Sequence, residues 1–326
     1  MSIPFDRVPG DEALAIGLTT VFAGGKSPGA QVELLNREAN VYSSTFASEV
    51  VTCRSADGTM FRLLCKYDGG SENYAFGHHG GVSYEAQIYR DVLRGDGAYA
   101  PTFYGTFVDD VHGSKCLVLQ YLDGANRLNR APDPADAAVG AARRLGGFHA
   151  TTEDRTQSEW ATSVKAYDRD YYTGWAQRTA AFSGEWQQSY SWLSALCAEY
   201  EKAVSFLLAR PQVVAHGECY PMNILVRDSA VYFVDWESAA LAPGEIDLAA
   251  LTEGWDAKVV LACEREYCQA RWPHASSTRE FEQGLWAARL YWGFRWLGDR
   301  PSWTAGRGAR AHFAQLRAAG EHLGLI

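Results

Sequence analysis

No stretch of the chain approaches the roughly eighteen uninterrupted apolar residues that a membrane-spanning helix requires, so no membrane partner is expected. The opening residues, Met1-Ser2-Ile3-Pro4-Phe5-Asp6, lack the basic start and apolar core of a secretory leader. Positive charge is not in excess either. Against 39 Asp and Glu stand 30 Lys and Arg, a formal net charge of −9, which speaks against nucleic acid as a partner. No CxxC pair occurs. The 7 cysteines, an odd number, stand singly at 53, 65, 116, 197, 219, 263 and 268, which disfavours a disulfide scaffold and a zinc ribbon and favours reduced thiols. Internal repeats and low-complexity segments are missing as well. These absences point to a soluble cytoplasmic protein. What is present is the composition of an ordinary globule, 47% hydrophobic and 21% charged over 326 residues. That length suits one large two-lobed domain or two modest ones.

The texture changes once along the chain. Asp11 to Phe22 has acids first and apolar spacing after them, which suits a leading helix. Val32 to Leu35, Phe46 to Cys53 and Met60 to Tyr67 read as strands, the last two joined by the turn Ser55-Ala56-Asp57-Gly58. A glycine-rich stretch follows, in which His78-His79 reads as loop polarity rather than as a metal site. The next helix, Val82 to Leu93, places Glu85 on one face with Ile88, Tyr89 and Val92, so Glu85 is expected to aim at the core. Phe103 to Val108 and Lys115 to Tyr121 form a further hairpin. Beyond Asp123-Gly124 helices dominate, beginning with Asp133 and Pro134 as N-cap and first-turn residues of a helix that reaches about Ala150. Residues 1–122 therefore read as a strand-rich lobe and residues 123–326 as a larger helical one, with a hinge near 121–126.

One segment of the helical part departs from this pattern. Ile224 to Arg227 and Val231 to Val234 are short β-type runs around Asp228-Ser229. A register centred on residue 229 sets Asn223 opposite Asp235 at the open end of the ribbon. An amide oxygen and a carboxylate held close together suit a hard cation such as Mg2+. Just upstream lies His216-Gly217-Glu218, with Glu218 five residues before Asn223. A carboxylate, an asparagine, a hairpin and a second carboxylate in that order follow the logic of a phosphoryl-transfer loop. The first carboxylate takes or orients the acceptor hydroxyl, and the other two groups hold the metal that neutralises the phosphates.

At these residues the chain resembles the aminoglycoside phosphotransferase and choline kinase-like small-molecule kinases. The resemblance rests on His216-Gly217-Glu218, Asn223, Val234-Asp235-Trp236 and Gly244-Glu245-Ile246-Asp247-Leu248-Ala249, and it covers roughly residues 30–250. It implies an α+β, protein-kinase-like two-lobed fold, with a small antiparallel-sheet N-lobe that binds nucleotide. The larger, mainly helical C-lobe then carries the catalytic loop, the metal site and the acceptor-binding helices. It further implies ATP or GTP as co-substrate in the cleft, Mg2+ as the metal, Glu218 as the base, and Asn223 and Asp235 as metal ligands. Lys66 resembles the third-strand lysine that contacts the phosphates and Glu85 its helix partner, while the backbone of Gln120 and Leu122 would face the adenine edge. Asn40-Val41-Tyr42 is similar to the phosphate-covering loop, which makes Ser43 and Ser44 the phosphate donors, although residues 37–45 contain no glycine. Asp247 is expected as a buried carboxylate that holds the catalytic loop, and His216 as a brace of its backbone.

The acceptor should be chosen in the C-terminal part. Glu253, Trp255, Asp256 and Trp292 are the candidates there for a hydroxyl-bearing, cationic small molecule, through charge pairing and cation–π contact. The function expected is γ-phosphoryl transfer from ATP or GTP to a hydroxyl of an aminoglycoside or other antibiotic, an amino-sugar or an amino-alcohol. One departure weighs against it. The family has Asp where this chain has Glu218, one methylene longer, and the alternative is a catalytically weak nucleotide-binding protein with a regulatory or scaffold role. The lack of His-Arg-Asp, Asp-Phe-Gly and Ala-Pro-Glu speaks against a third reading, a protein kinase proper.

Overall fold

A computed structural model of the chain describes residues 8–24, 32–42, 46–68, 76–77, 81–93, 99–156, 158–184, 189–274, 279–306 and 308–326. They fall into two units. The first draws on 1–74, 78–126 and 232–237, the second on 75–77, 127–231 and 238–326.

The first unit contains α1 (Asp11–Ala23), β1 (Glu33–Ala39), β2 (Ser48–Arg54), β3 (Met60–Tyr67), α2 (Gly81–Asp91), β4 (Phe103–Val108) and β5 (Lys115–Gln120). Its sheet is antiparallel throughout, in the order β1-β2-β3-β5-β4. The turn between β2 and β3 forms where Gly58 supplies a φ of +86°, and the Ser55 N–H donates to the Thr59 carbonyl at 3.0 Å. Side chains alternate along β3. Leu63, Cys65 and Tyr67 join Leu14 and Leu18 of α1, Val51 of β2 and Val118 of β5 in one core. The period of two turns Lys66 to the opposite face, where Glu85 of α2 meets it. The helix spacing that aimed Glu85 inward is realised, since Val82, Glu85, Ile88 and Tyr89 are all buried.

The second unit begins within β6 (Asn126–Arg127), at Arg127, and contains α3 (Pro134–Glu153), α4 (Arg169–Phe182), α5 (Leu193–Ala209), β7 (Gln212–Ala215) and β8 (Ile224–Arg227). The chain continues through β9 (Ala230–Phe233), β10 (Ala240–Pro243), α6 (Glu245–Thr252), α7 (Ala257–Arg271), α8 (Arg279–Asp299), α9 (Pro301–Ala305) and α10 (Ala309–His322). Asp133 caps α3 by accepting the Asp136 N–H at 3.0 Å. Helix α8 is buried around most of its circumference and packs against α4, α6 and α10, as expected of the central helix in a helical layer. Strands β7 and β10 pair antiparallel, Ala215 opposite Ala240, and β7 delivers the chain into His216-Gly217-Glu218.

The ribbon differs from its expected register. Two residues join β8 to β9, Asp228 with φ +49° and Ser229 with φ +65°. Positive φ at both central positions marks a type I′ turn, whose flanking residues, here Arg227 and Ala230, form the first pair. Pairing is therefore not centred on residue 229, and the strand register gives no reason for Asn223 to stand opposite Asp235. The turn dispenses with glycine because Asp enters the left-handed region more readily than most side chains do.

The seven cysteines are free thiols. Among the described residues no helix is long and apolar enough to cross a membrane.

Candidate active site

In the first unit, three carboxylates surround one ammonium. Lys66 Nζ lies 2.7 Å from Glu85 Oε2, 2.6 Å from Asp235 Oδ1 and 3.7 Å from Glu237 Oε2. Burial alone would lower the Lys66 pKa, but the attraction of Asp235, Glu85 and Glu237 more than offsets it and the ammonium is held well above its ordinary range. Burial raises Glu85, with Lys66 opposing the rise. Its second oxygen, Oε1, accepts the backbone N–H of Trp236 at 3.2 Å, so α2 also fixes the segment that carries Asp235. Asp235 follows the end of β9 and takes a φ of +71°, a conformation that side chains rarely adopt and that aims its carboxylate at Lys66. One oxygen from each of Glu85, Asp235 and Glu237 lies within 4.8 Å of the others, a hard donor set of the kind divalent magnesium prefers. Glu237 was missed in the sequence because its number in the chain carries no sign that it returns to Lys66.

In the second unit, the loop from 216 to 223 is held at nearly every residue. Asp247, fully buried at the start of α6, accepts the backbone N–H groups of His216 at 2.6 Å and Gly217 at 2.9 Å. His149 Nε2 stands 3.2 Å from the same carboxylate, and its Nδ1 stands 2.8 Å from the hydroxyl of Tyr267. Arg271 donates to that hydroxyl at 2.7 Å. A guanidinium only donates, so the tyrosine passes its own hydrogen to Nδ1 and the imidazole donates from Nε2 to Asp247. Gly217 has a φ of +79°, and a Cβ there would collide with the Ser238 carbonyl and the Tyr167 hydroxyl, so no other residue fits. His216 braces the loop, its Nδ1 accepting the Glu218 N–H at 3.3 Å, and Asn223 Nδ2 donates to the Glu218 carbonyl at 3.1 Å. The Glu218 carboxylate is itself engaged. Arg295 of α8 donates through one nitrogen to Glu218 Oε1 and through another to the Gly217 carbonyl at 2.6 Å.

The remaining sequence candidates are placed as follows. The Gln120 N–H donates to the Thr102 carbonyl at 2.8 Å and its side-chain oxygen accepts the Thr102 hydroxyl at 3.0 Å. Leu122 is buried, and no described residue accepts from its N–H. Ser43, Ser44, His78 and His79 lie outside the described residues. Asp256 caps α7, accepting from Lys258 and Val259 N–H groups at 2.9 and 3.0 Å. The Trp255 indole donates to the Leu251 carbonyl at 3.1 Å. Neither residue is brought to Glu253. Trp292 is buried, its indole bonded to the Ile246 carbonyl at 2.8 Å and its face 4.7 Å beneath the Arg295 guanidinium.

Glu253 instead meets groups from further along the chain. It accepts the Trp296 indole N–H at 3.0 Å, and His312 Nδ1 lies 3.8 Å away. Burial raises the Glu253 pKa, with Trp296 and His312 pulling the other way. The Trp296 ring stacks on Trp303 at 5.0 Å and on His312 at 5.5 Å, and Tyr220 of the 216–223 loop lies 5.6 Å from it.

The profile of the phosphotransferase enzyme family matches residues 77–281, more than half of the chain, and the chain belongs to that family. It is a small-molecule kinase by class. No curated protein matches it in sequence. Among solved structures it is similar to choline kinase from Cryptosporidium parvum Iowa II (TM-score 0.58, 12% identity, 90% of this chain and 91% of that one). It is likewise similar to choline kinase LicA from Streptococcus pneumoniae (TM-score 0.58, 13% identity, 95% and 98%). A third is macrolide 2'-phosphotransferase MphH from Brachybacterium faecium (TM-score 0.57, 16% identity, 93% and 97%). At these identities the likeness shows the fold, which is the protein-kinase-like one.

Proposed function

We propose that this phosphotransferase moves the γ-phosphoryl group of ATP or GTP to a hydroxyl of a small molecule, with Mg2+ required. An aminoglycoside or other antibiotic, an amino-sugar or an amino-alcohol is the class of acceptor. The observation that carries this reading is the Lys66 ammonium held between Glu85 and Asp235 at 2.7 and 2.6 Å, a cation braced to meet phosphate oxygens. Lys66 binds the α- and β-phosphates, and Ser43 and Ser44 donate to phosphate. The backbone of Gln120 and Leu122 faces the base, for which the Leu122 N–H has its hydrogen to offer. Asp235 and Asn223 hold the metal, with Glu237 as a further oxygen donor beside Asp235. When bound, Mg2+ neutralises the phosphate charge that builds up during transfer.

Glu218 orients the acceptor hydroxyl and receives its proton. The hydroxyl oxygen forms the new bond to the γ-phosphorus, and the bond from that phosphorus to the β–γ bridging oxygen breaks. Its electron pair leaves with the nucleoside diphosphate. Glu253, beside the Trp296 ring, supplies a negative and aromatic surface for the cationic part of the acceptor. Structural relatives named for choline, macrolide and aminoglycoside support a small hydroxyl-bearing acceptor. Relatives solved with AMP and with GDP support a nucleotide co-substrate of either base.

The test is thermal shift with ATP or GTP, with and without Mg2+. Nucleoside diphosphate release is then measured against choline, spectinomycin, an aminoglycoside, a macrolide and a fructosamine. Metal-dependent stabilisation and EDTA-sensitive release with at least one acceptor are expected. Stabilisation without release would return the chain to the weak nucleotide-binding reading.

A further inference from the structure

Glutamate at position 218 is one methylene longer than the family's aspartate, and the structure offers a partner for the extra length. Arg295 projects from α8, almost wholly buried, with its guanidinium over the Trp292 ring at 4.7 Å. That ring is locked by its own bond to the Ile246 carbonyl at 2.8 Å, the residue next to Asp247. From its place over that ring the guanidinium reaches two points on the catalytic loop, the Gly217 carbonyl and Glu218 Oε1. Glu218 Oε2 has no partner among the described residues.

Resting on the phosphotransferase reading above, we infer that Arg295 is a positioning residue for the transfer. It pins Oε1 of Glu218 and the carbonyl before it, and so presents Oε2 to the acceptor hydroxyl. The fork of a guanidinium suits this task because two of its N–H groups point the same way, at a carboxylate and a carbonyl together. Loop and side chain are then fixed as one body, held by Asp247 through the N–H groups of 216 and 217 and by Arg295 through the next carbonyl and carboxylate. During transfer the hydroxyl oxygen bonds to the γ-phosphorus, its proton passes to Oε2, and the electron pair of the broken P–O bond leaves on the diphosphate. An aspartate at 218 would end about 1.5 Å short of the guanidinium, so Glu218 and Arg295 work as a matched pair.

The test measures Mg·ATP turnover as ADP release, with the panel acceptor used best or with water alone, in Arg295→Met, Arg295→Lys, Glu218→Gln and the double variant Glu218→Gln/Arg295→Met. Arg295→Met is expected to lower kcat about 100-fold, the scale of a roughly 1 Å misplacement. Its KM for ATP and its thermal stabilisation by Mg·ADP stay within about threefold and unchanged, respectively. Arg295→Lys, which keeps one donor, recovers about tenfold of the loss. In the Glu218→Gln background, where the carboxylate is already gone, Arg295→Met costs less than about threefold more. An undiminished kcat in Arg295→Met, or losses that simply add in the double variant, would overturn the inference while leaving the phosphotransferase reading intact. A wild-type protein that releases no ADP under any condition would instead overturn that reading, and this inference with it.

Discussion

The Oδ2 atom of Asp247 accepts the backbone N–H of His216 at 2.6 Å, while Oδ1 accepts that of Gly217 at 2.9 Å, both deep in the helical unit. A single carboxylate thus dictates where two consecutive peptide planes lie, and those planes lead directly into Glu218. Replacing it with an amide, Asp247→Asn, sets an NH2 group against one of the two donors. Leaving such a buried donor unsatisfied costs about 1–3 kcal/mol, to be read by urea unfolding. Displacement of Glu218 should cost a further kcat loss of about 100-fold.

Lys66 and Asp235 separate stability from activity. Lys66→Met strands Glu85, which is 1% exposed, together with Glu237 at 5%. Breaking a buried pair in this way destabilises by about 3–5 kcal/mol, and a second substitution, Glu85→Gln, should recover a good part of that loss. Asp235→Asn leaves Lys66 paired with Glu85. It should fold normally by circular dichroism and thermal melting yet show no detectable transfer; turnover near the wild-type rate would remove Asp235 from the metal site.

Glu218→Gln keeps an acceptor for Arg295 but removes the negative charge and the site for the proton. A drop in kcat of about 10²–10⁴ is expected, with the KM for nucleotide little changed. Glu218→Asp should fall well below wild type too, despite restoring the residue usual in the family, because the shorter stem lies out of reach of Arg295.

His149 makes stability depend on pH. Burial holds its pKa below the ordinary 6.5, outweighing the pull of Asp247. The folded chain therefore keeps this ring neutral where the unfolded chain protonates it. Because the unfolded state binds more protons, stability declines as pH falls below about 6.5. Between about pH 7 and 5.5 the slope should be shallower in His149→Gln by up to about 1.4 kcal/mol per pH unit. Chemical denaturation at several pH values measures it, and parallel slopes would assign the effect to other groups.

Glu253 predicts the opposite kind of titration, in binding rather than folding. Its pKa is raised, chiefly by burial, so it is fully charged only above the ordinary carboxylate range. The KM for a cationic acceptor should rise several-fold as pH falls into that range, and Glu253→Gln should raise the KM at all pH values and flatten the dependence.

Much of this was legible in the sequence because it is local. β3 and β4 form over the expected residues, Met60–Tyr67 and Phe103–Val108, since alternation and turn chemistry act within a few positions. Glu85 declared its inward face by helical spacing alone. Motif order brought out Lys66, Glu218 and Asp247. What stayed hidden was non-local or dihedral. The left-handed pair Asp228-Ser229 fixes a register that residue types do not announce. Arg295 lies 77 positions from the glutamate it grips, and no short-range pattern in the sequence connects the two. Trp296, Trp303 and His312 come to Glu253 from 43 or more positions further along the chain, which no local pattern shows, and Trp255 and Asp256, adjacent in sequence, turned out to serve the ends of helices.

Residues 232–237 return to the N-terminal unit after more than a hundred residues spent in the other. A fragment ending at 126 would carry Lys66 and Glu85 but neither Asp235 nor Trp236, whose backbone Glu85 fixes. The ammonium would then face one anion in place of three. The sheet-bearing unit of this enzyme is accordingly no portable cassette. Gene fusions, split reporters and recombination breakpoints placed at the apparent border should yield dead pieces, whereas a chimera that transplants 232–237 along with the sheet stands a chance of working.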